Sequence, residues 1–319
     1  PNVVHQDSFV NDGRFRFRVY GVGQEAAILV LPGLHPDGLD DARLDRFCRV
    51  LSDAGCLVGV PELPTMTRSI MDSSLLKDTE TACAHFMQLM QSEKISKCGL
   101  FCISASSIAG LHLAVHPVWS TKIHRLHLFG GFIDWVEALR FSMSGIIQTK
   151  NIREKREVDP LGLPVVYMNM VSTFPDFVAT TTEVRQGMLS GWYDYVSKTW
   201  EKDHIQHPQD STPIAHNCLE RIKIGTTISV ELQELFLQGC SVQGGGQEKI
   251  HNYLDGISLT QLPSSVSWLN PKPLLDNLQI PLDISHGKED FVVPYTQANE
   301  FPQWTQSSVR TFVTGLYHH

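Results

Sequence analysis

No stretch of this 319-residue chain is apolar over the roughly 20 residues that a membrane-spanning helix needs, so a helical membrane anchor is not encoded in it. Basic runs are missing too. The 26 lysines and arginines are outnumbered by 34 acidic residues, and the net charge is −8. The densest charged stretch, Lys150 to Glu157, mixes both signs and reads as a solvated connection. That excludes the basic stripe with which a protein grips a nucleic-acid backbone. The seven cysteines are scattered, with no Cys-x-x-Cys pair and no Cys/His cluster at zinc spacing. An odd, dispersed set argues against a disulfide framework and a structural metal, and favours reduced thiols and a cytoplasmic protein. Nothing has the pattern of a secretory leader, although the chain begins at Pro1 and not at Met. No internal repeat is evident. What remains is a chain with 42% hydrophobic residues, enough to bury a sizeable core in one large domain or a domain carrying an insertion.

Hydrophobic periodicity then orders the first 131 residues. Arg14–Tyr20 alternates polar and apolar and predicts an outer, half-exposed strand. Ala26–Leu31 is continuously apolar, as a buried strand is, and ends in the turn-rich loop Pro32–Gly38. Asp40 or Asp41 caps a helix with Leu44, Phe47, Val50 and Leu51 on one face. Cys56–Val60 is the next strand. Asp72 or Ser73 opens a longer helix with Leu76, Cys83, Phe86 and Met90 on its apolar side. Ile123–Phe129 is another strand, closed by Gly130-Gly131. Strands alternating with helices in this way predict an α/β protein with a mostly parallel central sheet covered by helices on both faces.

After Gly131 the rhythm stops. Helical patterns recur at Trp135–Ser144, Thr182–Trp200 and Thr226–Gly239, between joins rich in proline and glycine. Alternation resumes with a strand at Pro281–His286, a helix over Tyr295–Phe301 and a last strand at Ser308–Val313.

One junction stands apart. Lys97–Ile103 has the apolar character of a strand, and Ala105–Leu111 is small and apolar as a helix is, with Ser104 between them. A serine at a sharp strand-to-helix corner is the geometry of a nucleophile elbow, with the helix N-terminus beside its hydroxyl. Such an elbow ordinarily reads Gly-x-Ser-x-Gly; here it reads Cys102-Ile103-Ser104-Ala105-Ser106, small but without either glycine. The plainer reading of Ser104 is a helix cap after a buried strand.

Four segments together resemble the α/β-hydrolases: the loop Leu31-Pro32-Gly33-Leu34, the elbow Cys102–Ser106, the segment His286-Gly287-Lys288-Glu289-Asp290-Phe291-Val292-Val293-Pro294, and Gly315–His319. The resemblance implies an α/β-hydrolase fold over residues 1–131 and 274–319, with a helical cap, residues 132–273, inserted after strand 6. It also implies a serine triad. Ser104 would be the nucleophile, His319 or His318 the base, and Asp290 the acid that orients it, in the family's chain order. The backbone N–H groups of Leu34 and Ala105 would form the oxyanion hole. No cofactor and no metal is called for.

Plainer readings stand beside these. Asp290 could simply cap a turn, Glu289 is its neighbouring alternative, and Ser106 and Ser107 could cap the helix. His35 and Asp37 fit either a pocket mouth or a polar loop. His112 with His116, and His204 with His207, have spacings a metal could use but lack a third ligand. Aromatic and methionine side chains crowd the insert, from Trp135 and Phe141 through Tyr167 and Trp192 to Trp200. They suit a packed cap or an apolar pocket. The expectation is a serine esterase acting on a carboxylic ester, thioester or lactone of an apolar small molecule. A small-molecule acyl substrate is then its partner, no nucleic acid is, and a homodimer is left open. The alternative is a non-catalytic protein of the same fold that binds a small molecule or a partner.

Overall fold

The structure, a computed structural model, describes residues 5–10, 12–22, 26–149, 153–159, 161–171, 174–200, 208–255 and 266–316. The elements run β1 (His5–Val10), β2 (Phe15–Tyr20), β3 (Ala26–Leu31), α1 (Ala42–Asp53), β4 (Cys56–Pro61), α2 (Pro64–Thr67), α3 (Ser74–Ser92), β5 (Lys97–Ile103), α4 (Ser107–Val115) and β6 (Ile123–Phe129). Next come α5 (Trp135–Ser144), β7 (Ile146–Gln148), β8 (Arg153–Lys155), α6 (Gly162–Met170), α7 (Pro175–Val178), α8 (Thr182–Trp200), α9 (Pro208–Gly225), α10 (Val230–Gly239) and α11 (Gly246–Asp255). The chain continues through α12 (Lys272–Leu275), β9 (Leu282–Gly287) and β10 (Val309–Thr314). It separates into two compact units, one of residues 1–135 and 262–319 and one of residues 136–261.

The first unit holds an eight-stranded sheet in the order β1-β2-β4-β3-β5-β6-β9-β10. All pairings from β4 to β10 are parallel, and only β1 and β2 run against their neighbours. The run Ala26–Leu31 lies between β4 and β5 and leaves no residue exposed, as befits a strand covered on both faces. From β3 the chain crosses through α1 to β4 on one side, then through α3 to β5 on the other. Right-handed crossovers in opposite directions put α1 and α3 on opposite faces of the sheet. The reversal opens a crevice between the carboxyl ends of β3 and β5, the place where sheets of this kind bind ligands.

Several expectations are corrected. Arg14–Tyr20 is not an outer strand: β1 pairs outside it and takes the edge. Val50 is exposed and Cys48 takes its place on the buried face of α1, whose N-cap is Asp41, accepting from the Arg43 N–H. Residues 153–155 of the charged connection pair with 146–148 as a small ribbon. The helix expected over Thr226–Gly239 begins at Val230, because the Ser229 side chain caps it by accepting from Leu232 N–H. The helix expected over Tyr295–Phe301 is instead two 3-10 turns, Tyr295–Asn299 and Phe301–Gln303, with a proline opening the second.

Within the second unit the aromatic residues form that unit's own core. Trp192 is fully buried, stacks on Phe236 at 5.5 Å and donates from Nε1 to the Phe236 carbonyl at 3.0 Å. Gly191 lets α8 approach so closely that a Cβ there would lie 2.6 Å from Ile222 of α9 and 2.9 Å from Phe236 of α10. No helix among the described residues is long and apolar enough to cross a membrane, and all seven cysteines are free.

One ion cluster ties the last strands together. Asp283 on β9 is buried and accepts paired bonds from Arg125 of β6 and Arg310 of β10, at 2.6 to 3.0 Å. Burial opposes its charge, yet the bonds from Arg310 and Arg125 outweigh that and hold the carboxyl below its ordinary range. A carboxyl with a lower pKa folded than unfolded contributes stability above its unfolded value, about 4. That contribution is lost as pH falls through the folded value. Urea midpoints measured from pH 6 down to pH 2.5 should therefore fall below pH 4 in the wild type. Asp283→Asn should start lower at pH 6 and show a shallower fall.

Candidate active site

The crevice between β3 and β5 is where the elbow lies. Leu31 at the end of β3 is in register with Cys102 near the end of β5. At the next corner Ser104 has φ of +52°. A non-glycine residue in that region carries strain of about 1–2 kcal/mol and persists only where its surroundings impose it. The side chain is partly exposed while the residues around it, Cys102, Ser106 and Ser107, are buried. A short 3-10 turn, Ser104–Ser106, leads into α4.

The two missing glycines are replaced by specific contacts. Ser106 Oγ accepts from Ile103 N–H at 3.0 Å and shares its one proton between the Leu31 carbonyl at 2.8 Å and the Ile103 carbonyl at 2.9 Å. This hydroxyl fastens the elbow to the end of β3, so Ser106 is a structural staple and no rival nucleophile. Cys102 packs against Gly110 of α4, where a Cβ would lie 2.2 Å from its Sγ. The close approach of strand and helix is met by a glycine on the helix in place of one on the strand. Burial pushes the Cys102 thiol well above its ordinary range, which keeps it an inert neighbour. On α4, Ser107 is buried against Gly131, where a Cβ would meet its Oγ at 2.6 Å.

The expected oxyanion loop passes directly over the elbow. A Cβ at Gly33 would lie 3.3 Å from the Ile103 carbonyl oxygen and 3.4 Å from Ser104 Cβ. Leu34 and Ala105, each one residue further along, are both partly exposed.

Asp290 follows β9 and is buried, whereas its neighbour Glu289 is exposed. Its Oδ1 accepts from the N–H groups of Val292 and Val293, each at 2.8 Å. Its Oδ2 lies 3.1 Å from Nε2 of His286. Turn-capping and a fixed carboxylate are thus the same arrangement. Only β6 lies between β5 and β9, so the strand ends bearing Ser104 and Asp290 are about 10 Å apart across the sheet. Beside β9, Thr314 of β10 accepts from Lys288 N–H at 2.7 Å, so the chain leaves β10 next to the Asp290 turn. His318 and His319, the expected bases, lie outside the described residues.

Two contributors had no assigned role in the sequence reading. His286 faces inward with Leu282 and Ile284, and its signal is the period of two along β9. Gln297 is buried, and its Oε1 accepts from Ile133 and Asp134 N–H while its Nε2 donates to the Asp134 carbonyl. It pins the loop after β6 from 163 to 164 residues away in the chain, beyond the reach of any local pattern.

The other candidates have ordinary partners. His35 Nδ1 accepts from Asp37 N–H at 3.2 Å, a polar-loop bond. His112 reaches the Trp268 carbonyl, and His116 lies 3.5 Å from Glu80. His204 and His207 are outside the described residues. Among the described residues no group of three or more His, Cys, Asp or Glu is placed to hold a metal.

No protein-family model matches the chain, and no curated protein sequence does. Solved structures do. Uncomplexed Pyrococcus horikoshii acylaminoacyl peptidase superposes with a TM-score of 0.50 at 11% identity, over 99% of this chain and 37% of the peptidase. An acylaminoacyl peptidase in complex with Z-Gly-Gly-Phe-chloromethyl ketone gives 0.51 at 10% identity, over 99% and 37%. A Pyrococcus furiosus esterase gives 0.49 at 10% identity, over 99% and 83%. The chain spans little more than a third of the length of the peptidases it resembles. Likeness at such identity is a likeness of fold. Together with the order of its mostly parallel sheet, it shows that this chain has the α/β-hydrolase fold.

Proposed function

We propose that the protein is a serine hydrolase that cleaves a carboxylic ester, thioester or lactone of a largely apolar small molecule. The observation that carries the reading is the left-handed backbone of Ser104 at the corner between β5 and α4. A mere helix cap has an extended backbone and no need of such strain, whereas a nucleophile must be held clear of the sheet. In the reaction Ser104 Oγ attacks the acyl carbonyl and its proton passes to His319 or His318. Asp290 keeps that imidazole in one tautomer and stabilises it when charged. Backbone N–H groups of Leu34 and Ala105 receive the oxyanion, each lowering the barrier by about 3–4 kcal/mol. The histidine returns the proton to the leaving alcohol or thiol. Water, deprotonated by the same histidine, then releases the acid from the acyl-enzyme. The chemistry needs no metal or organic cofactor.

The test is labelling with a fluorophosphonate, located by mass spectrometry. Wild type should be modified at Ser104, and Ser104→Ala should take up no label while remaining folded. A folded wild-type protein that stays unlabelled and turns over no p-nitrophenyl ester overturns the reading, and favours a binding protein of the same fold.

A further inference from the structure

The β9 strand places a histidine where its fold asks only for an apolar side chain. Leu282 and Ile284 precede His286 on the same inward face, and all three are fully buried. The imidazole Nε2 lies 3.0 Å from the Val293 carbonyl and 3.1 Å from Asp290 Oδ2. Both neighbours are acceptors, so Nε2 carries a proton and donates. Nδ1 is buried without a partner. A leucine would fill the face but would leave the Val293 carbonyl and Asp290 Oδ2 without this donor, so what the imidazole adds over an apolar side chain is its N–H.

We infer that His286 is a positioning residue for the catalytic carboxylate. This rests on the proposed role of Asp290. Two backbone N–H groups hold Oδ1, at one end of the carboxylate. The donor from His286 holds Oδ2, at the other end. It takes one lone pair of Oδ2 and thereby sets the direction of the other, along which the base's N–H would have to approach. Because the Val293 carbonyl shares the same donor, the imidazole is itself anchored to the turn it stabilises. His286 touches neither substrate nor Ser104 in this role; it acts through Asp290.

Glutamine and asparagine separate this role from mere filling of space. The amide nitrogen of His286→Gln reaches the position of Nε2, whereas that of His286→Asn matches Nδ1 and falls short of Asp290. Both keep a polar group on the buried face. The rate of fluorophosphonate labelling at Ser104 and the hydrolysis of p-nitrophenyl butyrate are measured for each, beside thermal midpoints. His286→Asn should label about tenfold or more slowly, the usual order for losing a second-layer partner, with kcat lowered and KM little changed. His286→Gln should recover most of that loss. Equal rates for the two variants, or a loss confined to KM, would overturn the inference while leaving the hydrolase reading intact. An unlabelled, inactive wild type overturns both. His286→Leu removes the donor altogether while keeping the face filled, and should label as slowly as His286→Asn. A Leu variant that labels at the wild-type rate counts against the role.

Discussion

Asp290→Asn should slow fluorophosphonate labelling of Ser104 and ester hydrolysis by about 10⁴-fold, the loss expected when a triad acid is replaced by its amide. The amide oxygen can keep the bonds from Val292 and Val293 N–H. Its NH₂ group then faces Nε2–H of His286, donor against donor, and offers the base another donor where it needs an acceptor. The histidine of the triad would be held in the wrong tautomer, unable to take a proton from Ser104. The same mismatch should lower the thermal midpoint, because two buried donors then face each other. Glu289→Gln is the matched control: its side chain is exposed, and the labelling rate should stay at the wild-type value. Comparable rates for Asp290→Asn and wild type, measured by quenched time courses, would remove Asp290 from the triad and leave it a turn cap.

Gly110→Ala should lower stability by about 3 kcal/mol, at the upper end for one added methyl in a packed core. Alanine is the better helix former by about 1 kcal/mol, so the sign of the effect depends on the collision. The added Cβ would lie 2.2 Å from Cys102 Sγ and 3.4 Å from both Cys102 Cβ and Leu126 Cδ1. Cys102 has no room to retreat, being fully buried in the strand that carries the elbow. Combining the change with Cys102→Gly removes the sulfur and puts glycine where a nucleophile elbow ordinarily has one. The double variant should recover about 2 kcal/mol relative to the sum of the single effects, a coupling typical of residues in direct contact. Denaturant titration of the four proteins of this cycle measures it. Additive effects, or a Gly110→Ala protein as stable as wild type, would mean that the strand and helix separate without cost. Since Ser104 sits between the two elements, labelling at Ser104 should follow the stability order in the same four proteins.

The absence of Gly-x-Ser-x-Gly made the elbow hard to read in the chain itself. Its function of close approach had moved to Gly110, eight residues along, and its turn had been fastened by the Ser106 hydroxyl. Both residues are visible in the sequence. Neither has a pattern, because each makes sense only once β5 and α4 are folded back on each other. Ser104 itself was legible through the change from strand character to helix character on either side of it. Asp290 was legible through the residues that surround it after β9. A base is proposed from the sequence alone, as His318 or His319.

Local physics therefore determined a good deal. The unbroken apolar run of β3, the strands β5 and β6, and the helical periods of α5 and α8 appear in the structure over the residues that carry them. The cap of α1, open between Asp40 and Asp41 in the sequence, is Asp41. In α8 the side chains that face the core recur at the helical period, and in β3 the whole run is covered, so burial and pattern coincide. The tertiary structure alone decided the rest. It made β1 the edge strand although His5–Val10 has no alternation, and it formed α9 through Pro213, where no local propensity favours a helix. It also brought Gln297 to the loop after β6, Gly33 against Ser104 and the His286 donor onto Asp290. Gln297 and Gly33 make contacts between segments far apart in the chain, so their energy is set by partners that no window of sequence contains. His286 is near Asp290 in sequence, but its inward aim and its unpartnered Nδ1 are consequences of the sheet that buries it.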